Sequence, residues 1–487
     1  MVISLIKNKD LYTALLIIIF SFLNFNYNSF SVVSDERFNY FQVESEQFVL
    51  DGYLNYKLNE TDLKLGHFTR PSIDMFNEGE KYKPRQWYFN NFIEGNFWEY
   101  KSHFGLQLFI FDFFNGNLRL VQTIASLVLS LILGLIFFIL TRVISFQFSL
   151  IFILSVVFNP WITPIARNSY FLLFIYFIPF LVTLLFVKRI NTKRSQLIKM
   201  LIVLYFIFLI KSLIGYDYLS TIVLMSMIPI VFYALKYRLS LIKLLKNLAL
   251  ILIVSFFSFF TAILIHANSL KSEKNPLEWI YYVGAKRLSS SDPQSTAYET
   301  CYQLFSNEDG SFDLNNPNNK ECIESLVESL SVSRIEVLGK YFIARHVLPF
   351  FGSFEIKLTE KQESDLKEIY YDSKLSFLKK GDYTLKYYLN NFREFNIFQV
   401  TSVIINFILS PILFILLFMI YVIKTLKSEK RYQLFNFFII LPPVSWFLLA
   451  KGHSYVTAYQ LTFFIWFIVT IPYMIAFLTY RKSIFDN

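Results

Sequence analysis

Blocks of about 16 to 25 apolar residues recur along the chain between polar loops, and each is long enough to cross the ~30 Å hydrocarbon core of a bilayer as a helix. The pattern predicts about ten transmembrane helices, at 11–30, 119–140, 145–159, 169–187, 198–212, 218–235, 248–266, 397–423, 434–450 and 459–480. Helices are expected because a backbone in lipid has to satisfy its polar groups within its own segment. The third and fifth blocks are short and fit a tilted or partly re-entrant path. Two long polar segments, 31–118 and 268–396, interrupt the pattern and divide the chain into a seven-span module (1–267), a loop domain (268–396) and three C-terminal helices (397–487). The second half of the first polar segment, Arg85 to Asn117, is dense in aromatic residues and is expected to form helices lying in the membrane interface. In the second, Leu326, Leu330, Ile335, Leu338, Phe342 and Ile343 recur at near-helical spacing, and Thr359 with Gln362 forms a capping box for a further helix. No internal repeat is evident, which weighs against a transporter built from duplicated halves.

Composition agrees with an all-α integral membrane protein: 55% of the residues are hydrophobic and 19% aromatic. The net charge of +10 changes the picture through its distribution. Lys7, Lys9, Arg142, the run from Lys188 to Arg194, the run from Lys236 to Lys246, the run from Lys424 to Arg431, and Arg481 with Lys482 all fall on one side of the predicted spans. By the positive-inside rule that side is cytoplasmic, with both termini on it and both long polar segments exoplasmic. The charge is therefore an orientation signal, and no nucleic-acid partner is expected. The first block lacks a small-x-small cleavage site and reads as a retained helix. The Asn, Lys, Ile and Phe bias points to an AT-rich, bacterial source and so to an inner membrane. Cys301 and Cys322 share the second exoplasmic segment; the alternatives are a disulfide, favoured by an oxidising compartment, and two unpaired thiols.

Candidate chemistry concentrates on the exoplasmic side. The pair Asp35 and Glu36 stands just outside the first span: either a solvated interfacial pair, or a general base acting on a lipid-borne substrate. Glu44 and Glu46 follow, and with Asp35 and Glu36 their hard oxygens suit magnesium or manganese, although the spacing does not require a metal. In Tyr100–Gln107, Lys101, His103 and Gln107 interrupt an aromatic stretch; they form a capped turn or present themselves to a phosphate or sugar. Arg167 and Asn168 lie in a proline-broken loop at the mouth of the bundle, where a cation either snorkels to headgroups or meets an anionic lipid phosphate. Lys211 with Asp217, and Lys451 with His453, occupy two further tight corners between spans. Phosphate-cradling glycine loops, a His-Glu-x-x-His helix and zinc-spaced cysteines are absent from the sequence, which ranks ATP hydrolysis and redox chemistry low.

This layout resembles the GT-C superfamily of polytopic membrane glycosyltransferases: one span, a large exoplasmic loop opening on an acidic pair, interfacial helices, then many spans. Locally, Tyr100–Gln107, Asn159–Tyr170, Gly215–Tyr218 and Ala450–Tyr455 are similar to motifs of bacterial membrane proteins associated with surface polysaccharides. The resemblance implies a polyprenyl-phosphate-linked sugar donor and a glycan, lipid or protein acceptor. It implies Asp35 as the base, with Glu36 as its neighbour or a metal contact, and Arg167, Lys211, Lys451 and His453 near the lipid phosphate. The chain departs from the family in lacking a His-x-Pro-Pro-type element; Lys101-Ser102-His103-Phe104-Gly105 stands in that region. Two other functions fit the same layout: a flippase or exporter of lipid-linked saccharide, and a polymerase or ligase whose cations would lie in the second loop, at Arg287 and Arg345.

Overall fold

The computed structural model describes residues 2–33, 35–40, 43–59, 61–68, 97–101, 103–190, 193–270, 316–330, 410–449 and 464–480. In chain order its elements are α1 (Val2–Tyr27), α2 (Asp35–Tyr40), α3 (Val43–Asn59), β1 (Gly66–Phe68), β2 (Phe97–Glu99), α4 (Leu106–Phe113), α5 (Leu118–Val143), α6 (Phe146–Val157), α7 (Ile162–Ile165), α8 (Phe174–Ile190), α9 (Arg194–Ile214), α10 (Leu219–Lys236), α11 (Leu241–Ser269), α12 (Pro317–Leu330), α13 (Ser410–Leu426), α14 (Lys430–Leu449), α15 (Phe464–Ile468) and α16 (Thr470–Thr479). The chain forms two compact units. The first gathers Met1–Leu277 with Met419–Pro443 and Phe464–Asn487; the second gathers Glu278–Phe418 with Val444–Phe463.

Helix dominates, as the apolar blocks predict. Among the described residues α1, α5, α9, α10 and α11 are long and apolar enough to cross a membrane, so the protein is membrane-embedded. Helices α6, α13 and α16 are apolar but shorter. At 12 residues α6 rises only about 18 Å, in keeping with the shortness of the block at 145–159. Side-chain caps set where several helices begin: Asn117 Oδ1 accepts from the Leu120 N–H at 3.0 Å ahead of α5, and Ser145 and Ser240 do the same ahead of α6 and α11.

In the aromatic stretch 85–117, expected to form interfacial helices, the described part holds a strand as well as a helix. Its described part opens with a strand, β2, paired antiparallel to β1 in the register Gly66↔Glu99, His67↔Trp98, Phe68↔Phe97. Phe97 and Trp98 favour a pleated backbone, and a partner strand was available to satisfy it. Among the described residues of this stretch, helix begins at α4.

The first unit packs α1 along α5, α8 beside α9 and α10, and α9 beside α11. Asn24, buried on α1, donates to the Val157 carbonyl (2.7 Å) and to Thr163 Oγ1 (3.0 Å), fixing the approach to α7. Helix α16 packs on α6, with Tyr473 edge-on to Phe148 at 5.9 Å. In α14, Pro443 has no N–H for the Ile439 carbonyl, and the Thr470 hydroxyl donates to that oxygen at 2.7 Å. Buried Asn436 completes this region: its amide donates to Thr425 Oγ1 (2.8 Å), its Oδ1 accepts from the Tyr473 hydroxyl (2.7 Å), and its backbone oxygen accepts from Tyr421 (2.9 Å). In the second unit, Cys322 on α12 is disulfide-bonded. Cys301 and the helix expected after Thr359 lie outside the described residues.

Candidate functional site

Helices α9 and α11 end, and α5, α8 and α10 begin, at one end of the first unit, and the polar segment following α1 packs there. Gly105 makes the junction. Its φ of 85° is open to glycine and strained for other residues, and its N–H donates to the Leu213 carbonyl at 3.1 Å, tying the start of α4 to the last turn of α9. Two residues earlier, the His103 side chain is fully buried, with Nε2 3.5 Å from Asp217 Oδ2. Its ring stacks on Tyr100 (5.2 Å, 17°) and on Tyr216 (6.0 Å, 25°). Gly215 makes room for it, since a Cβ there would come within 2.5 Å of His103 Nδ1. Tyr216 carries the arrangement onward, its hydroxyl hydrogen-bonded to His266 Nδ1 at 3.1 Å near the end of α11. Lys211, also buried, donates from Nζ to the Gly215 carbonyl and lies 5.0 Å from the Tyr176 ring centre.

A second cluster forms around α2 and α3. Arg167 is only 6% exposed. Its guanidinium lies 3.8 Å from the Phe38 ring centre and donates to the Phe38 carbonyl (3.0 Å) and to Asn39 Oδ1 (2.9 Å). Arg167 thereby pins the short helix that Asp35 opens, and Asp35 itself is exposed. Glu46, fully buried on α3, accepts from both sides of the bundle: Gln122 Nε2 at 3.3 Å to each carboxylate oxygen, and the Ser169 N–H at 2.9 Å. Glu46, a candidate metal ligand in the sequence, anchors α3 on α5 and on the loop after α7. Asn168 Oδ1 receives the N–H groups of Tyr170 (2.9 Å) and Phe171 (3.3 Å), which is a turn-capping role. Among the described residues no group of three or more His, Cys, Asp or Glu side chains is placed to hold a metal ion.

A cavity of about 350 Å³ opens beside the first of these clusters. Tyr56, residues 61–65, Glu99, Tyr100, His103, Phe104, Phe109, His266, Ser269 and Leu270 line it. Lys64 and Glu99 form an ion pair across the hairpin at 3.1 Å. At the foot of α3, Lys57 bonds Asp112 of α4 at 3.2 Å, and that hydrogen bond raises the lysine pKa above its ordinary value.

Of the residues singled out in the sequence, His103, Asp217 and Lys211 come together in one cluster. Arg167 and Asn168 belong to the neighbouring one. Gln107 is buried on α4, with no hydrogen-bond partner for either amide atom among the described residues, and Lys101 is half-buried. Asp35 does not line the cavity. Lys451 and His453, and the side chains of Glu36 and Glu44, lie outside the described residues. The sequence reading passed over His266, Asp62, Lys64 and Glu99. An ionisable residue at the end of an apolar span was the available signal for His266; the hairpin that brings Lys64 to Glu99 left none. No protein-family model, no curated protein and no solved structure matches the chain.

Proposed function

We propose that this protein is a membrane glycosyltransferase that moves a sugar from a polyprenyl-phosphate donor to a glycan, lipid or protein acceptor on the exoplasmic side, within a GT-C-like arrangement of about ten spans. One observation carries the reading. Ionisable side chains from separate elements, His103, Lys211, Asp217 and His266, are buried together at one end of an apolar bundle, and the two histidines line a cavity of about 350 Å³. Burying such groups beside lipid is costly and is characteristic of sites that handle polar substrates.

In this reading the acceptor hydroxyl oxygen attacks the anomeric carbon, the bond from that carbon to the phosphate oxygen breaks, and polyprenyl phosphate departs with the bonding pair. Asp35, exposed at the start of α2, takes the hydroxyl proton. Inversion at the anomeric carbon follows from the single displacement. Arg167 acts through α2, holding the helix that presents Asp35. Lys101, Lys451 and His453 are assigned to the departing phosphate, whose charge needs stabilisation in the transition state. A protein acid is unnecessary for a leaving group that is already a phosphate.

The test is sugar transfer in membranes carrying the full chain, supplied with polyprenyl-phosphate sugars and read by product mass. Asp35→Asn is expected to lower transfer by at least about a hundredfold with membrane insertion unchanged. Transfer at the wild-type rate in that variant removes the base assignment. Saccharide crossing the membrane with no change in product mass selects transport instead.

A further inference from the structure

We propose that the 350 Å³ cavity is a subsite for a sugar of the acceptor other than the one that reacts at Asp35, and that the sugar it takes is neutral. The word acceptor rests on the glycosyltransferase reading; the binding of a neutral saccharide rests on the cavity alone. Its size lies at the lower end of the range for small-molecule clefts, about 300–1,000 Å³, which suits one or two pyranose rings.

The chemistry of the wall selects the class. Tyr56, Thr61, Tyr100 and Ser269 bring hydroxyl-bearing side chains to the lining, and Asp62 and Glu99 bring carboxylates; the Thr61 hydroxyl accepts from Asn55 and the Ser269 hydroxyl donates to the His266 carbonyl. An ionised carboxylate only accepts hydrogen bonds, two or more at once, and so matches neighbouring hydroxyl groups on one ring. Phe109 supplies a platform: it stacks on Phe104 (5.7 Å, 5°) and stays 44% exposed. The electron-rich face of such a ring attracts the weakly positive C–H face of a pyranose. In the wall itself, the contacts of His103 with Asp217 and of His266 with Tyr216 hold the two imidazoles in place.

Charge then excludes the donor. Two carboxylates face one ammonium, and that ammonium, Lys64, is already paired with Glu99 at 3.1 Å. Beside uncharged imidazoles at His103 and His266, a phosphate or a uronate would enter against net negative charge. The cavity is thus unsuited to the phosphorylated partner and suited to a hydroxylated one.

The test uses the full chain purified in a detergent without a sugar headgroup, with no donor present. The probes are the methyl glycosides of glucose, galactose, mannose and N-acetylglucosamine, with glucuronate and galactose 1-phosphate as anionic counterparts, read by saturation-transfer NMR. At least one neutral glycoside is expected to bind and neither anion to do so. Phe109→Ala and Asp62→Asn are each expected to weaken that binding about tenfold, whereas Phe113→Ala, at a residue 78% exposed and outside the cavity wall, leaves it unchanged. Silence from all four glycosides with folded protein, equal binding of the anions, or undiminished binding in both cavity variants overturns the proposal. So does displacement of the glycoside by a simple alkyl chain, which would make the cavity a lipid groove. Glycoside binding with no transfer activity sinks the enzyme reading and leaves this one standing; transfer that is unaffected by both cavity variants does the reverse.

Discussion

Gly215 shows how one missing methyl group shapes the site. Its φ of 176° is ordinary extended backbone, so alanine would meet no conformational objection there. The objection comes from His103, whose Nδ1 would lie 2.5 Å from the new Cβ. Gly215→Ala should therefore push the imidazole away from Asp217 and Tyr216 and lower stability by about 1–3 kcal/mol, read as the midpoint of thermal unfolding in detergent. His103→Ala in the same chain should remove most of that cost, because the neighbour that objects has gone. Full cost in the double variant would mean that Gly215 is needed for another reason. The residue types here were legible in the sequence, since a glycine, tyrosines and an aspartate in a tight corner between spans mark a polar junction. Their partner was not, because His103 reaches Asp217 only through the packing of α4 on α9.

Proline in α14 illustrates what a helix needs from its neighbours. Pro443 leaves the Ile439 carbonyl without its usual N–H, and α16 supplies the Thr470 hydroxyl in its place. Thr470→Val keeps the shape and removes the donor, leaving a buried acceptor unsatisfied at a cost of about 1–3 kcal/mol. Pro443→Ala restores an N–H to the same oxygen, so Thr470→Val in that background should cost less than half as much. Equal losses in the two backgrounds would show that the hydroxyl has no compensating role. The apolar blocks foretold helices at these positions because hydropathy over 20 residues is a strong signal. The hairpin of β1 and β2 escaped, since each strand has only three residues and their pairing joins positions about thirty apart. Asp35 illustrates the same limit: it was visible as an acid after a span, whereas the clamp of Arg167 on Phe38 and Asn39 depends on the loop after α7 folding back over α2.

The first unit is closed by its last residues: Tyr473 of α16 covers Phe148 of α6, and Asn436 gathers Tyr421, Thr425 and Tyr473. Removing 464–487 should open the face of α6. A cysteine placed at Phe148, which is 1% exposed, is expected to react with a membrane-permeant thiol reagent at least about tenfold faster in the shortened chain, and equal rates would show that α16 does not shield it. This closure has a consequence for biosynthesis. Residues 1–277 leave the ribosome well before 419–443 and 464–487, with the whole of 278–418 made in between. Throughout that interval the early helices sit in the membrane with α6 uncovered and no C-terminal partner to dock on it. A nascent chain halted at any point before Tyr473 is synthesised therefore carries an unfinished surface on α6.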